Sequence, residues 1–117
     1  MPKRILIVND DDLYLEIAKK TLDKEGHQTV ISTEPREAER LATTSIFDLI
    51  LIDYKMVGMN GLEFYRLIRG RARARIAILT GFKDDPTLVS EAAKEGIKYV
   101  ISKDTLVDSV HQLVKDA

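Results

Sequence analysis

Five short apolar runs alternate with amphipathic segments from one end of this chain to the other, and that alternation constrains the fold more than any single residue does. The runs are Arg4 to Val8, Gln28 to Ile31, Phe47 to Ile52, Ile76 to Leu79 and Tyr99 to Ile101, all rich in Ile, Val and Leu. Strands covered by helices on both faces read as near-continuous apolar runs, which is the pattern of a parallel sheet. Five successive βα units therefore predict a doubly wound α/β sandwich, (βα)5, with a five-stranded parallel sheet.

The intervening segments carry their own start and stop signals. Leu15, Ala18 and Leu22, followed by Gly26, predict a helix over roughly Asp12 to Glu25. Pro35 falls in the first turn of a segment bearing Ala38, Leu41 and Ala42, and Asn60 caps one bearing Phe64, Leu67 and Ile68. Asp85 and Pro86 open a fourth, striped by Leu88, Val89, Ala92 and Ala93 and ended by Gly96. Asp104 is expected to cap the fifth, where Leu106, Val110, Leu113 and Val114 recur at helical spacing.

No composition shift, repeat or Pro/Gly/Ser linker divides the chain, so its 117 residues are read as a single domain spanning 1–117. A formal net charge of −1 gives no global basic field, which argues against direct nucleic-acid or membrane-surface binding. The lack of cysteine excludes disulfides and thiol chemistry. Neither a secretory leader nor an apolar run near membrane-spanning length is present, and the expected location is cytoplasmic.

Open α/β sheets bind ligands outside the carboxyl ends of their strands. Here those ends carry Asn9, Asp10 and Asp11 after the first strand, Asp53 at the third, Thr80 at the fourth, and Ser102 and Lys103 after the fifth. Taken singly, each has an ordinary explanation as a helix cap, a strand hydroxyl or a solvated lysine. Together they place an acid pair, an isolated acid, a hydroxyl and a cation on one rim. Carboxylates brought close repel unless a cation lies between them, and Mg²⁺ suits two carboxylates, a backbone carbonyl and a phosphoryl oxygen. An aspartate in such a setting is a nucleophile toward phosphorus, provided a metal and a lysine neutralise the transferring group.

The motifs ILIVNDDD, LILIDYKMVGMNGLEF, AILTG and YVISK resemble, in order and spacing, those of the receiver domain of two-component response regulators, over essentially the whole chain. The resemblance implies sheet order 2-1-3-4-5, Asp53 as phosphoacceptor, Asp10 as principal metal-binding acid and Lys55 as a ligand through its carbonyl. It also makes Thr80 the switch hydroxyl and Lys103 the phosphate-pairing lysine, with Asp11 as a further candidate ligand. Mg²⁺ is the implied cofactor. The implied partners are a sensor histidine kinase or phosphotransfer protein, whose phosphohistidine donates to Asp53, and a downstream effector or output domain. Readout, and a possible homodimer, are placed on helix four, strand five and helix five. Lys55 and Phe82 flank the path of the water that ends the signal. Such a chain is a signalling module rather than an enzyme. With no output domain after Ala117, it is read as a stand-alone receiver or one excised from a longer protein.

Asn9 stands where an acid is more usual in that family, Val57 where proline is common, and Asp104 where a proline usually follows the lysine. Tyr99, unlike the family's aromatic, is one position too early in its strand and points to the other face. These departures keep open a degenerate receiver acting as an unphosphorylated interaction module. Two rivals fare less well. A flavin mononucleotide site needs a glycine-rich loop where four successive residues, Asn9 to Asp12, would repel phosphate, and a metal-dependent phosphatase needs a second acid where Lys55 stands. Arg69, Arg71, Arg73 and Arg75 read as a solvated loop at the opposite rim, without aromatics for base stacking. His27 and His111 read as surface residues, and Met56 and Met59 as loop packing.

Overall fold

The computed structural model describes residues 3–81 and 86–115. Its strands are β1 (Arg4–Val8), β2 (Gln28–Ser32), β3 (Leu49–Asp53), β4 (Arg75–Thr80) and β5 (Tyr99–Ser102). The helices are α1 (Asp12–Lys24), α2 (Pro35–Thr44), α3 (Gly61–Ile68), α4 (Pro86–Lys94) and α5 (Leu106–Lys115). The strands form one parallel sheet in the order β2-β1-β3-β4-β5, as expected. Among the described residues no helix is long and apolar enough to cross a membrane.

Alternation along the strands divides the core in two. Ile5, Ile7, Leu51 and Leu79 pack with Leu15, Ala18 and Leu22 of α1 and with Val110 and Leu113 of α5. Leu6, Val8, Ile50 and Ile52 face the other way, against Ala38 of α2, Phe64 and Ile68 of α3, and Leu88 and Ala92 of α4. Every residue of β3 is buried, which explains its unbroken apolar reading. Burying one such Leu or Ile side chain contributes about 1.5–3 kcal/mol, so the two-sided core holds the strand ends firmly. Tyr99 packs on the α1/α5 face and Val100 on the opposite one, as alternation predicts.

The strand boundaries shift in one instructive way. Phe47 and Asp48 precede β3 rather than open it, because Asp48 brackets β1 instead: its Oδ2 accepts the Arg4 N–H at 2.8 Å and its own N–H donates to the Arg4 carbonyl. Conversely, β2, β3, β4 and β5 run one residue further at their carboxyl ends, taking in Ser32, Asp53, Thr80 and Ser102.

Helix ends follow capping chemistry. Asn60 Oδ1 accepts the Glu63 N–H while Glu63 Oε1 accepts the Asn60 N–H, both at 2.9 Å, a reciprocal capping box. Asp104 does not cap the last helix. Residues Lys103–Thr105 form a 3₁₀ turn running directly into α5, and Ser102 Oγ caps it by accepting the Asp104 N–H at 3.2 Å. The expected cap of α4, Asp85, lies outside the described residues, as does Phe82.

Candidate functional site

Parallel pairing in register brings the polar strand ends to one rim: Ile52 lies beside Val8, Asp53 beside Leu79, and Thr80 beside Ser102. Asp53 is 2% exposed, and its Oδ1 lies 2.8 Å from Lys103 Nζ. A cavity of about 350 Å³ opens over this pair, lined also by Lys55, Thr80 and Gly81. Five residues from three separated stretches of sequence thus meet at one small opening.

Burial is the strongest influence on the Asp53 carboxyl and pushes its pKa up. The Lys103 ammonium opposes that shift, while the Asp10 and Asp11 carboxylates add to it. The net direction is upward, burial being the largest cause. Three carboxylates, Asp10, Asp11 and Asp53, act here against the one ammonium of Lys103, which does not offset them all. A divalent cation would. Asp53, Asp10 and the Lys55 carbonyl are a hard-oxygen donor set of the type Mg²⁺ prefers, and the unbalanced negative charge fits it. Among the described residues no three His, Cys, Asp or Glu side chains are grouped so as to hold a metal by themselves, so carbonyl and water oxygens have to complete such a shell.

The three residues after β1 take different tasks. Asp10 is exposed, and its Oδ2 accepts the Val57 N–H at 2.7 Å, joining the β1–α1 turn to the loop after β3. Asp11 is the N-cap of α1, its Oδ1 accepting the N–H groups of Leu13 (3.0 Å) and Tyr14 (3.2 Å). Asn9 is buried; its Oδ1 accepts the Asp11 N–H at 3.0 Å, and its Nδ2 lacks a hydrogen-bond partner. That buried amide is a donor where an acid would have been a further metal-directed acceptor.

Gly61 sets the backbone beneath the site. A Cβ there would stand 2.7 Å from the Asp53 carbonyl oxygen, and the Gly61 N–H donates to the Tyr54 carbonyl at 2.8 Å. Only a residue without a side chain lets the start of α3 approach the end of β3 so closely. Met56 and Met59 pack against the α3/α4-side core, as loop packing requires. Tyr14 was not legible as a site residue. Its ring lies under Lys103, with Nζ 5.1 Å from the ring centroid, a contact made across helix and strand and invisible in the local pattern.

Two readings change at the far rim. Arg71 pairs with Glu39 at 3.0 Å, Arg69 with Glu95 at 3.3 Å, and Arg75 reaches the Leu113 carbonyl at 3.0 Å. The arginine run is therefore bound into the fold at three of its four positions rather than simply solvated. A cavity of about 690 Å³ opens there, lined by Phe47, Tyr65, Arg73 and Tyr99, larger than the one over Asp53 but remote from the acids. His27, expected at the surface, has both ring nitrogens buried without partners, and its ring meets that of His111 edge-on at 5.7 Å. No sequence spacing links residues on α5 with the turn before β2.

This chain matches the response regulator receiver domain over residues 5–115 and belongs to that family of two-component signalling modules. It is 33% identical over 97 residues to the transcriptional regulatory protein YvrH of Bacillus subtilis, covering 82% of this chain and 41% of that protein. It is 30% identical over 112 residues to the sensor histidine kinase AruS of Pseudomonas aeruginosa, covering 92% of this chain and 11% of that one. The chain thus spans less than half the length of these relatives. Among solved structures, the response regulator TrrA of Thermotoga maritima, in complex with Mg(2+)-BeF, superimposes with a TM-score of 0.80 at 28% identity, covering 95% of this chain and 98% of that one.

Proposed function

We propose that residues 1–117 act as one phosphorelay receiver domain in which Asp53 accepts a phosphoryl group. The observation that carries this reading is the buried Asp53 carboxylate, held 2.8 Å from Lys103 under a cavity that Thr80 also lines. An Asp53 oxygen attacks phosphorus, the bond from phosphorus to the donor's imidazole nitrogen breaks, and the electron pair leaves with that nitrogen. Lys103 pairs with the transferring group, and the Thr80 hydroxyl donates to the new phosphoryl oxygens. Mg²⁺, held by Asp10, Asp53 and the Lys55 carbonyl, would supply the charge neutralisation that lets two anions approach. The Asp11 oxygens serve first as a helix cap and are a secondary candidate for that ion.

Phosphorylation adds up to about two negative charges at the rim, drawing Thr80 and Lys103 inward and biasing the face formed by α4, β5 and α5. The donor is a histidine kinase or phosphotransfer protein, the listener an effector or output domain, and the setting cytoplasmic. The homodimer through α4, β5 and α5 belongs to the same reading.

A second reading, an unphosphorylated interaction module, is favoured by one observation: the Val57 N–H already occupies an Asp10 oxygen. One experiment separates them. Incubation with Mg²⁺ and phosphoramidate should give a single phosphoryl adduct by intact mass, lost in Asp53→Asn. The same adduct in Asp53→Asn, or none in the wild type, rejects phosphorylation at Asp53.

A further inference from the structure

Lys103 is gripped from two sides. Its Nζ lies 2.8 Å from Asp53 Oδ1 and 5.1 Å from the centroid of the Tyr14 ring, so the ammonium sits between a carboxylate and an aromatic face. Tyr14 belongs to the first turn of α1, whose start is fixed by the Asp11 cap, and its own N–H is one of the two bonded there. The ring is half-buried against the core shared by α1, β1 and α5. It also lines a cavity of about 260 Å³ with Ile17, Lys103 and Leu106. Its position is therefore set by packing and by a cap rather than by its hydroxyl, which is buried without a hydrogen-bond partner.

The backbone around Lys103 supplies the complementary restraint. The Ser102 hydroxyl caps the 3₁₀ turn that carries it, which fixes the main chain but leaves four side-chain torsions free. A cation over a ring face is attracted to the ring's negative quadrupole, and the attraction strengthens as water is excluded. Burial, with help from the Asp53 and Asp104 charges, pushes the Tyr14 phenol up to about 12, so the ring stays neutral and adds no anion to the cluster.

We propose that the face of Tyr14 is a positioning surface for Lys103, holding its ammonium on the Asp53 side of the cavity in readiness for the incoming phosphoryl group. The proposal rests on the phosphorelay reading for its kinetic consequence, but the placement of Lys103 is a property of the protein alone. The hydroxyl plays no part; the ring does.

The test uses the full chain, Mg²⁺ and phosphoramidate, a donor too small to require a docking partner. Tyr14→Phe keeps the ring and should phosphorylate at the wild-type rate. Tyr14→Leu and the longer, unbranched Tyr14→Met remove it and should slow phosphorylation by about three- to tenfold, as loss of one cation–π contact implies. A second readout is independent of chemistry: in NMR spectra the Lys103 ε-methylene protons should be shifted upfield by the ring in the wild type and Tyr14→Phe, and return to the ordinary lysine position in the other two. Wild-type rates in Tyr14→Leu and Tyr14→Met, an equal slowing in Tyr14→Phe, or no upfield shift in the wild type would each overturn the proposal. If the wild type forms no adduct while the shift is present and ring-dependent, the phosphorelay reading fails and the positioning contact stands.

Discussion

The Val57 N–H donates to Asp10 Oδ2 at 2.7 Å, linking two residues 47 positions apart and tying the acid after β1 to the loop after β3. A proline, common at that position in the receiver pattern, has no N–H to give. The bond is short, and its acceptor is a carboxylate oxygen. A divalent ion taking Asp10 has to compete with it for the carboxylate's charge. Val57→Pro is therefore expected to tighten Mg²⁺ binding several-fold in calorimetric titration. Unchanged or weaker binding would mean that the amide orients Asp10 without competing for it.

Asp53 carries a folding cost whose sign is fixed by its surroundings. Its pKa is raised in the folded state, with burial outweighing Lys103. Between the ordinary carboxylate value and that raised one, the folded state binds more protons than the unfolded state, so stability falls as pH rises through the window. Above it, the ionised wild type bears the full cost and an amide does not. Asp53→Asn should thus melt at a higher temperature than wild type at pH 7, with the gap closing toward pH 4. Millimolar Mg²⁺ should raise the wild-type midpoint and leave that of the variant unmoved. A lower midpoint for Asp53→Asn at pH 7 would show that the orphaned Lys103 costs more than the relieved carboxylate.

Gly61 offers a backbone test of the same site. A methyl group there would meet the Asp53 carbonyl oxygen at 2.7 Å, and that neighbour is main chain within the sheet rather than a flexible side chain. Overpacking of this kind costs about 1–3 kcal/mol. Gly61→Ala is expected to lower the urea midpoint accordingly and to slow phosphorylation by phosphoramidate, because relief requires the end of β3 to move. An unchanged midpoint would show that α3 can recede freely.

The five βα units and the polar groups at their strand ends were legible because each depends on patterns within a few residues: apolar runs, turn glycines, and a polar group at or just after a strand's last residue; the order of the strands came from the resemblance to receiver domains. The capping box at Asn60 was half visible for the same reason, since Glu63 lies in the same turn. What escaped the sequence was every relationship made across elements. The Tyr14 ring under Lys103, the Val57 amide on Asp10, and the anchoring of Arg69, Arg71 and Arg75 join residues that share no local period. Asp11 shows the converse: its carboxylate type suggested a metal ligand, while its place before Asp12 made it a helix cap.

His27 supplies the sharpest example and a pH test away from the rim. Its ring nitrogens are buried, its pKa is lowered chiefly by that burial and further by His111, and Glu25 opposes the shift. Glu25 also lies 3.7 Å from His111 Nε2, so the three side chains join the end of α1 to α5. A histidine whose folded pKa lies below its unfolded value of 6.5 is charged more readily in the unfolded state. As pH falls below about 6.5 the unfolded chain takes up that proton first, and stability declines until the folded-state pKa is passed. His27→Phe keeps a ring of similar size and removes the titration. Urea unfolding at pH 8 and pH 5 should show the wild type losing more stability than His27→Phe over that interval, with the difference reduced in His111→Gln, which removes the ring that lowers the His27 pKa further. Equal losses in the wild type and His27→Phe would place the acid sensitivity elsewhere, in the carboxylates of the rim.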